Sequence, residues 1–310
     1  MAVYFSILLV IITGVTGVVY FVNKFYLAPM RHEAALAAQE VARAQTGIDL
    51  TLETLETLNE PPVHIETAVQ IFPVIAFVLI LRSFIYEPFQ IPSGSMMPTL
   101  LDGDFILVNK FNYGLKDPVA RNKFLEVGLP EHGDVVVFKY PRDPRIDYIK
   151  RVIGLPGDSV IYRNKSLYIK AACQQSDAKC PEYKLVETTF TSAYEGPDSE
   201  VGLEQYEAVM GGVKHNLLKD KFDGSKVEHY FPQQGTMRDE FVVPAGQYFV
   251  MGDNRDNSLD GRFWGFVPEE NLVGQAVAIW MSFDFERTPD DMLPRWVPTG
   301  FRFNRIGAIH

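Results

Sequence analysis

A run of 23 residues without Asp, Glu, Lys or Arg opens the chain, and it limits the possible folds more than any other feature. The run, AVYFSILLVIITGVTGVVYFVN after Met1, ends before Lys24. About 20 helical residues, at roughly 1.5 Å rise each, span the roughly 30 Å hydrocarbon layer of a bilayer. A cleaved signal peptide is the alternative, but it carries its basic residues before a shorter apolar core, whereas here Lys24 and Arg31 follow the run. We therefore predict a transmembrane helix at 1–23.

A second uncharged run, 67–81, predicts a second span. Its length alone fits either a buried core helix or a short span. If Arg82 extends its guanidinium to the interface, the apolar run continues to Tyr86, which then takes the aromatic position at the membrane surface. We therefore predict a second transmembrane helix at 67–86.

The basic residues predict the orientation of the two spans. Lys24, Arg31 and Arg43 lie between the runs, and no basic residue precedes the first. Basic residues are enriched in cytoplasmic loops. The sequence therefore predicts a helical cytoplasmic loop at 24–66, with the N-terminus and everything after Glu87 on the other side of the cell membrane.

Beyond the second run, the pattern changes to short β-branched and aromatic runs separated by Gly, Pro and Asp turns. Six such runs are strand candidates: 104–110, 134–140, 145–153, 158–163, 240–251 and 275–283. No long helical pattern is present that could form parallel crossovers, so antiparallel pairing is expected. We predict a mainly β fold, in which an extracytoplasmic antiparallel β-sheet domain follows the two helices. Its core comprises 87–163 and 239–310, and 164–238 forms an inserted β subdomain.

Cysteine, histidine and charge content restrict the partners. Cys173 and Cys180 lie in a polar stretch, and an oxidising extracytoplasmic compartment favours a local disulfide between them. Two cysteines are too few for a four-thiolate zinc site, and the six histidines lack ligand spacing, so we expect no metal and no cofactor. With 29 basic and 39 acidic residues, the net charge of -10 argues against a nucleic-acid partner.

A Ser-Gly-Ser sequence lies directly after the second span, in EPFQIPSGSMMPTLLDGD. Pro92 and Pro98 fix φ on either side of Ser93 and Ser95, and the glycine between the serines permits unusual backbone geometry. Such a loop can present a hydroxyl group and a backbone N–H. An ordinary turn is nevertheless the commoner reason for Ser-Gly-Ser.

Lys150, in the strand candidate RIDYIKRVI, is the candidate base for a serine nucleophile. Period-two alternation places Ile146, Tyr148, Lys150 and Val152 on one face. If that face points inward, desolvation lowers the pKa of the lysine and supplies neutral amine near pH 7. A lysine on a solvated face is the alternative.

A third segment, MGDNRDNSLDGRFWGFVPEEN, predicts either a buried polar network or a charged exposed turn.

Together these segments resemble the bacterial type I signal peptidases, or leader peptidases, which are membrane-bound serine proteases with a serine and lysine dyad. The matching stretches are FQIPSGSMMPTL (89–100), GDFILVNKFNYG (103–114), DYIKRVIGLPGD (147–158) and GDNRDNSLDGRFWGFVP (252–268). The resemblance extends to the two spans and the closing FNRIGAIH, and is weakest in the cytoplasmic loop and in 183–238. It implies an enzyme that removes signal peptides from exported preproteins through an acyl-enzyme, cutting after small residues in an Ala-x-Ala pattern.

The resemblance also implies roles for individual residues. Ser95 resembles the nucleophile and Lys150 the general base. Ser93 is similar to the residue whose hydroxyl joins the Ser95 N–H in the oxyanion hole. Ser258 matches the residue that orients the lysine amine.

The remaining implied roles concern support and substrate binding. Asp253 with Arg151, and Asp260 with Arg262, resemble supporting ion pairs. Gly261 departs from the family, which usually has serine there, so any hydrogen bond from that side chain is in doubt. The implied walls of the substrate pockets are Phe89, Ile91, Pro92, Met96, Leu100, Tyr148 and Ile149. Signal peptides and membrane lipid are the expected partners of a monomeric enzyme.

Three alternatives remain open at this point. A self-cleaving protease of the repressor type shares the serine and lysine dyad, although two spans and the lack of a helix-turn-helix pattern speak against it. A membrane-anchored binding protein would make Ser95 and Lys150 incidental. A Ser and His triad would use His132 or His229, although nothing around either histidine in the sequence indicates an orienting carboxylate.

Overall fold

The computed structural model describes residues 2–117, 123–173, 179–197, 199–285, 294 and 297–309. The chain divides into two compact units. One lies within 1–85 and 117–121, and the regular elements among its described residues are helices. The other lies within 86–116 and 122–310 and consists mainly of strands.

The described residues of the first unit form four α-helices and two π-helical turns. The helices are α1 (Ala2–Val22), α2 (Ala28–Thr46), α3 (Leu52–Asn59) and α4 (Val63–Ile80), and the π-helical turns are Asn23–Leu27 and Leu81–Ile85. Two helical stretches, Ile7–Thr46 and Val63–Ile85, are long and apolar enough to cross a membrane. The predicted pair of N-terminal apolar helices is therefore present.

The helices extend beyond the apolar runs. From α1 the chain passes through the π-helical turn into α2 and stays helical to Thr46, because 28–46 is rich in alanine and other strong helix formers. The turn precedes Pro29, whose ring clashes with a carbonyl in a regular helix. The second apolar helix begins at Val63, before the predicted residue 67, and Tyr86 is the first residue of a strand.

The two apolar helices of this unit pack against each other. A Cβ at Gly17 of α1 would lie 2.8 Å from the ring of Phe72 in α4, so any larger residue would require the ring to move. The Tyr20 and Phe72 ring centroids are 5.0 Å apart, and those of Phe21 and Phe72 are 5.8 Å apart. Close contact at a small residue is typical of helix pairs in membranes.

The second unit contains eighteen strands, one short α-helix and five 3-10 turns among its described residues. The first nine strands are β1 (Tyr86–Gln90), β2 (Asp104–Asn109), β3 (Leu115–Lys116), β4 (Lys123–Leu125), β5 (Val135–Tyr140), β6 (Asp143–Gly154), β7 (Ser159–Arg163), β8 (Ser166–Lys170) and β9 (Lys184–Leu185). The others are β10 (Thr188–Ala193), β11 (Leu203–Met210), β12 (Val213–Asp220), β13 (Glu240–Val242), β14 (Gln247–Met251), β15 (Val267–Pro268), β16 (Leu272–Asp284), β17 (Gly300–Phe301) and β18 (Gly307–Ala308). Helix α5 is Gly261–Trp264.

The strands form four sheets, and every pair of strands in them is antiparallel. The largest has nine strands in the order β1-β2-β16-β5-β6-β14-β15, with β17 and β18 paired to β16. The smaller sheets are β13-β7-β8-β9, β10-β11-β12 and β3-β4. The predicted mainly β, antiparallel fold is confirmed.

Each of the six predicted strand segments coincides with at least one observed strand. One of them, 240–251, forms two strands, because the Pro-Ala-Gly sequence before Gln247 makes a turn in which Gly246 has φ of 68°. The stretch 164–238 contains five strands, among them the whole β10-β11-β12 sheet, although its polar sequence gave weak strand signals. Its status as an inserted subdomain, like the other domain boundaries, stays a prediction.

Two other sequence features have clear structural outcomes. The Cys173–Cys180 disulfide is formed, as predicted. Tyr148 and Val152 of β6 belong to one core cluster, but Ile146 on the same predicted face is 46% exposed, because the first part of β6 extends past the core.

A core cluster on the large sheet lies under the Ser-Gly-Ser loop. It contains Ile91, Met96, Leu100, Ile106, Val108, Val135, Val137, Ile149, Val273, Ala276 and Ile279. Four of these residues, from the loop and β6, were predicted as pocket walls. Their burial anchors the loop to the sheet beside Lys150.

Candidate active site

Ser95 lies in a single 3-10 turn, Gly94–Met96, between strands β1 and β2. Met96 is completely buried, and the Met97 N–H donates to the Gly94 carbonyl oxygen at 3.1 Å. Ser95 itself is half-buried. The turn therefore has an apolar anchor on the core side and leaves the Ser95 hydroxyl accessible.

Lys150 lies on β6, where its backbone pairs with Val136 of β5. Its Nζ donates to Ser95 Oγ at 2.7 Å and to the Ile149 carbonyl oxygen at 2.9 Å. The Tyr148 ring centroid is 5.5 Å from Nζ. The fold thus brings together a serine and a lysine that are 55 positions apart in the sequence.

The amine of Lys150 is removed from water, since the residue is only 4% exposed. This burial lowers its pKa from the ordinary 10.5 to about 8, although the carboxylates of Asp260 and Asp253 act in the opposite direction. Burial disfavours the charged form of an amine. Lys150 therefore holds a larger neutral fraction near neutral pH than an exposed lysine does.

Two other predicted serines lie around this pair. Ser93 is exposed, and its Oγ is 3.5 Å from Ser95 Oγ. Ser258 is buried, and its Oγ forms no hydrogen bond with any described residue, including Lys150. A Cβ at Gly252 would clash with both Ser258 Oγ and the Ser95 carbonyl oxygen, so Ser258 lies close to the Ser95 turn without bonding to the Lys150 amine.

The first predicted ion pair, Arg151 with Asp253, is completely buried. Arg151 Nε and Nη2 donate to the two carboxylate oxygens at 2.8 and 2.7 Å, and Nη1 donates to the Gly133 carbonyl oxygen at 2.7 Å. Thr99 Oγ1 donates to Asp253 at 2.6 Å. Burial alone would raise the pKa of Asp253, but the Arg151 guanidinium outweighs it and holds that pKa below its usual range.

The second predicted pair, Asp260 with Arg262, is equally enclosed. Arg262 Nε and Nη2 donate to Asp260 at 2.8 Å each, and the Gly252 N–H donates to the same carboxylate at 3.0 Å. The side chain of Asp260 also accepts from the Arg262 N–H at the start of α5. A Cβ at Gly261 would lie 2.8 Å from the Val250 carbonyl oxygen, so any side chain here requires a local shift.

Asn254 is a site residue that the sequence reasoning missed. Its backbone N–H donates to the Ser95 carbonyl oxygen at 3.2 Å, and its Nδ2 donates to the Gly94 carbonyl oxygen at 3.1 Å. It also forms an isolated parallel bridge with Leu218 of β12. The Leu218 N–H donates to the Asp253 carbonyl oxygen at 2.9 Å, and the Leu218 carbonyl oxygen accepts from the Arg255 N–H at 3.0 Å. One of many polar residues in its segment, Asn254 carried no distinguishing sequence signal.

The alternative histidine bases do not meet Ser95. His132 Nε2 lies 2.7 Å from Asp158, a carboxylate that the sequence reasoning did not find because it is 26 positions away. His229 is exposed. Ser95 Oγ instead bonds to Lys150 and lies near Ser93.

The predicted pocket walls differ in accessibility. Met96 and Leu100 are completely buried, and Ile91 and Ile149 are 3% and 9% exposed. The other three, Phe89, Pro92 and Tyr148, are half-buried or exposed. The buried residues form a floor, and the accessible ones lie at its edge. No group of three His, Cys, Asp or Glu side chains is placed to bind a metal ion within the described part of the chain.

Comparison with known proteins gives the family. The sequence profile of the family described as "Signal peptidase, peptidase S26" matches residues 64–281. The chain belongs to this family. Signal peptidase I of Pseudomonas fluorescens is 42% identical over the full length of both chains. That of Haemophilus influenzae is 39% identical, over 97% of this chain and 90% of the relative.

The family assignment makes the chain a peptidase of the signal peptidase I type. Signal peptidase I of Pseudomonas aeruginosa is 40% identical, again over the full length of both chains. A crystal structure of a signal peptidase I from Enterococcus faecalis is 25% identical and covers 48% of this chain, with a TM-score of 0.27.

Proposed function

We propose that this peptidase removes N-terminal signal peptides from exported preproteins, using Ser95 as nucleophile and Lys150 as general base. The supporting observation is the 2.7 Å contact between Lys150 Nζ and Ser95 Oγ, with the lysine almost completely buried. The names of the relatives, signal peptidase I, supply the substrate class. A lysine removed from water replaces the histidine of the more familiar serine proteases.

The reaction begins with the neutral amine of Lys150. As Ser95 Oγ attacks the scissile carbonyl, Lys150 takes its proton and becomes an ammonium. The ammonium then protonates the leaving amine, which departs with the mature protein, and an acyl-enzyme on Ser95 remains. Neutral again, Lys150 activates the water that hydrolyses the ester.

The negative charge on the scissile oxygen needs hydrogen-bond donors. The Ser95 N–H and the Ser93 hydroxyl are the proposed donors, because both lie at the nucleophile turn and Ser93 Oγ is 3.5 Å from Ser95 Oγ. Ser258, with its unpaired buried hydroxyl, is the proposed partner of the lysine amine once that amine becomes an ammonium and reorients. The two buried ion pairs keep these groups in place.

Cleavage after small residues is consistent with the packing beside Ser95. Ile91, Met96, Leu100 and Ile149 form a closed apolar floor, which leaves little depth for a large side chain. The substrate would add as an extended strand beside β1, which ends the large sheet and pairs along one edge with β2. Phe89, Pro92 and Tyr148 would then line the shallow pockets.

The proposed location is the cell membrane, with the strand-rich unit on the extracytoplasmic side. Two helices are long and apolar enough to span a bilayer. The Cys173–Cys180 disulfide is typical of an oxidising compartment, and Lys24, Arg31 and Arg43 lie between the apolar runs, as expected for a cytoplasmic loop. The enzyme would act as a monomer in contact with lipid.

Mass spectrometry of a purified preprotein, incubated with the detergent-solubilised full chain, tests this function. Wild type should produce a single cut after a small residue. Ser95→Ala should produce none, because no other group replaces the nucleophile. Ser225→Ala, which changes an exposed serine of the same unit, is the matched control and should cleave normally. Cleavage by Ser95→Ala would remove Ser95 from the mechanism.

The pH dependence follows from the lowered pKa of Lys150. The base acts only when neutral, so kcat/KM should rise about tenfold per pH unit below pH 8 and level off above it. A lysine with the ordinary pKa of 10.5 would shift the rise to that higher pH. Rates measured with a neutral peptide substrate between pH 6 and about 10.5 distinguish the two cases, and a rise centred near 10.5 would contradict the burial argument.

A further inference from the structure

Asn254 forms two hydrogen bonds to the Ser95 turn, and neither of them involves Ser95 Oγ or Lys150. Its side-chain Nδ2 donates to the Gly94 carbonyl oxygen, and its backbone N–H donates to the Ser95 carbonyl oxygen. The residue is 2% exposed. Two consecutive carbonyl groups of the turn are therefore held by one residue of the polar segment.

The first of these carbonyls shares a rigid plane with the Ser95 N–H. A peptide unit is planar and trans, so its C=O and N–H point in opposite directions. Fixing the direction of the Gly94 carbonyl therefore fixes the direction of the Ser95 N–H, which is the proposed backbone donor to the oxyanion. An oxyanion hole depends on donors that are aimed before the charge develops.

The hydrogen bonds around the Asn254 amide indicate that it is not needed for stability. The Gly94 carbonyl oxygen has a second donor, the Met97 N–H at 3.1 Å, so it stays paired without Asn254. The Oδ1 of Asn254 is buried and has no hydrogen-bond partner among the described residues. An apolar side chain of similar shape would lose one hydrogen bond but would also remove this unpaired acceptor, and the two effects oppose each other.

We propose that Asn254 is a positioning residue, which aims the Ser95 N–H at the oxyanion through the Gly94 carbonyl. This inference rests on the proposed role of Ser95. In the transition state, the aimed N–H shortens its contact to the developing charge. The Ser95 N–H interacts more weakly with the uncharged carbonyl of the bound substrate. Misaligning this N–H should therefore lower kcat and leave KM nearly unchanged.

The test is Asn254→Leu in the full chain, with a peptide substrate. We expect kcat to fall about 10- to 100-fold, somewhat less than loss of a whole oxyanion donor, while KM stays within about twofold. The melting temperature should stay near that of wild type. The pH midpoint of kcat/KM should also stay near 8, because no contact of Lys150 is changed.

Asn257→Leu is the matched control, since it makes the same replacement at an exposed asparagine of the same segment, and it should leave kcat unchanged. If leucine at 254 prevents folding, Asn254→Ala removes the same donor without added bulk and should show the same loss of kcat.

Three results would overturn the inference: wild-type kcat in a folded Asn254 variant, an equal loss in Asn257→Leu, or a shift of the pH midpoint. Ser95→Ala, measured in parallel, separates this inference from the proposed function. An active Ser95→Ala would overturn the role of Ser95 itself, whereas an inactive one beside a fully active Asn254→Leu would overturn only the positioning role.

Discussion

Lys150→Met is expected to lower the rate of preprotein cleavage at least 10³-fold while leaving the protein folded. General acid–base catalysis contributes about 10² to 10⁴ in rate, and a nucleophile loses most of its reactivity when its base is removed. Methionine has nearly the length and volume of the lysine but cannot accept a proton. Cleavage rates from mass spectrometry, with the full chain in detergent, measure the loss.

The same substitution should not reduce stability. Lys150 is 4% exposed, and Asp253 and Asp260 each have their own arginine, so neither loses its main partner. Replacing a buried amine by an apolar side chain removes a desolvation cost. An equal or higher melting temperature, together with lost activity, would separate a chemical role from a structural one.

Lys219 provides a matched control for this experiment. It is also largely buried, and burial lowers its pKa to about 8 as well. Its Nζ donates to Thr188 Oγ1 at 3.1 Å and lies 4.6 Å from the Tyr206 ring centroid. Lys219→Met should therefore retain cleavage. Substantial activity in Lys150→Met, or an equal loss in Lys219→Met, would contradict the assignment of the base.

Asp253→Asn should cause the largest loss of stability among single changes at the site. It leaves the guanidinium of Arg151 buried without its carboxylate, and both side chains are 0% exposed. Breaking a buried ion pair by removing one partner costs about 3–5 kcal/mol. For a unit of roughly 200 residues this corresponds to a melting temperature lower by about 6–20 °C. Thermal unfolding of the full chain in detergent, followed by tryptophan fluorescence, measures it.

A double variant distinguishes the cost of an unpaired buried charge from the cost of lost packing. In Arg151→Met with Asp253→Leu, no charge remains unpaired, so part of the lost stability should return. Asp143→Asn is the control, because Asp143 pairs with the exposed Arg145 at the surface and should change the melting temperature little. A melting temperature for Asp253→Asn as high as that of the control would mean that the buried pair does not stabilise the fold.

The elements with a strong local pattern could be predicted from the sequence. The uncharged opening run indicated a helix, and the six β-branched runs indicated strands, because each pattern reflects burial along one segment. The loop 24–66 was also predicted to be helical, and its alanine-rich part forms α2. The continuation of α1 into α2 through a π-helical turn could not be predicted, because no local pattern shows whether two helices join.

The site itself was only partly predictable. Ser95 and Lys150 were candidates from their segments, and the family resemblance joined them, but their 2.7 Å contact depends on how the loop packs against β6. Two other contacts could not be predicted for the same reason. Thr99 donates to Asp253 from 154 positions away, and Asp158 lies beside His132 from 26 positions away. No local sequence pattern indicates contacts between residues so far apart.

The hydrogen bonds of Leu218 connect β12 to the polar segment of the candidate site. This strand belongs to the three-stranded sheet of 188–220, yet its Leu218 backbone bonds on either side of Asn254, at Asp253 and Arg255. The stretch 183–238, where the resemblance to the family is weak, therefore contains a strand that contacts the candidate site. A shortened version of this protein should therefore retain β12. Substitutions in this stretch should be tolerated when they keep the backbone hydrogen bonds of Leu218 to Asp253 and Arg255.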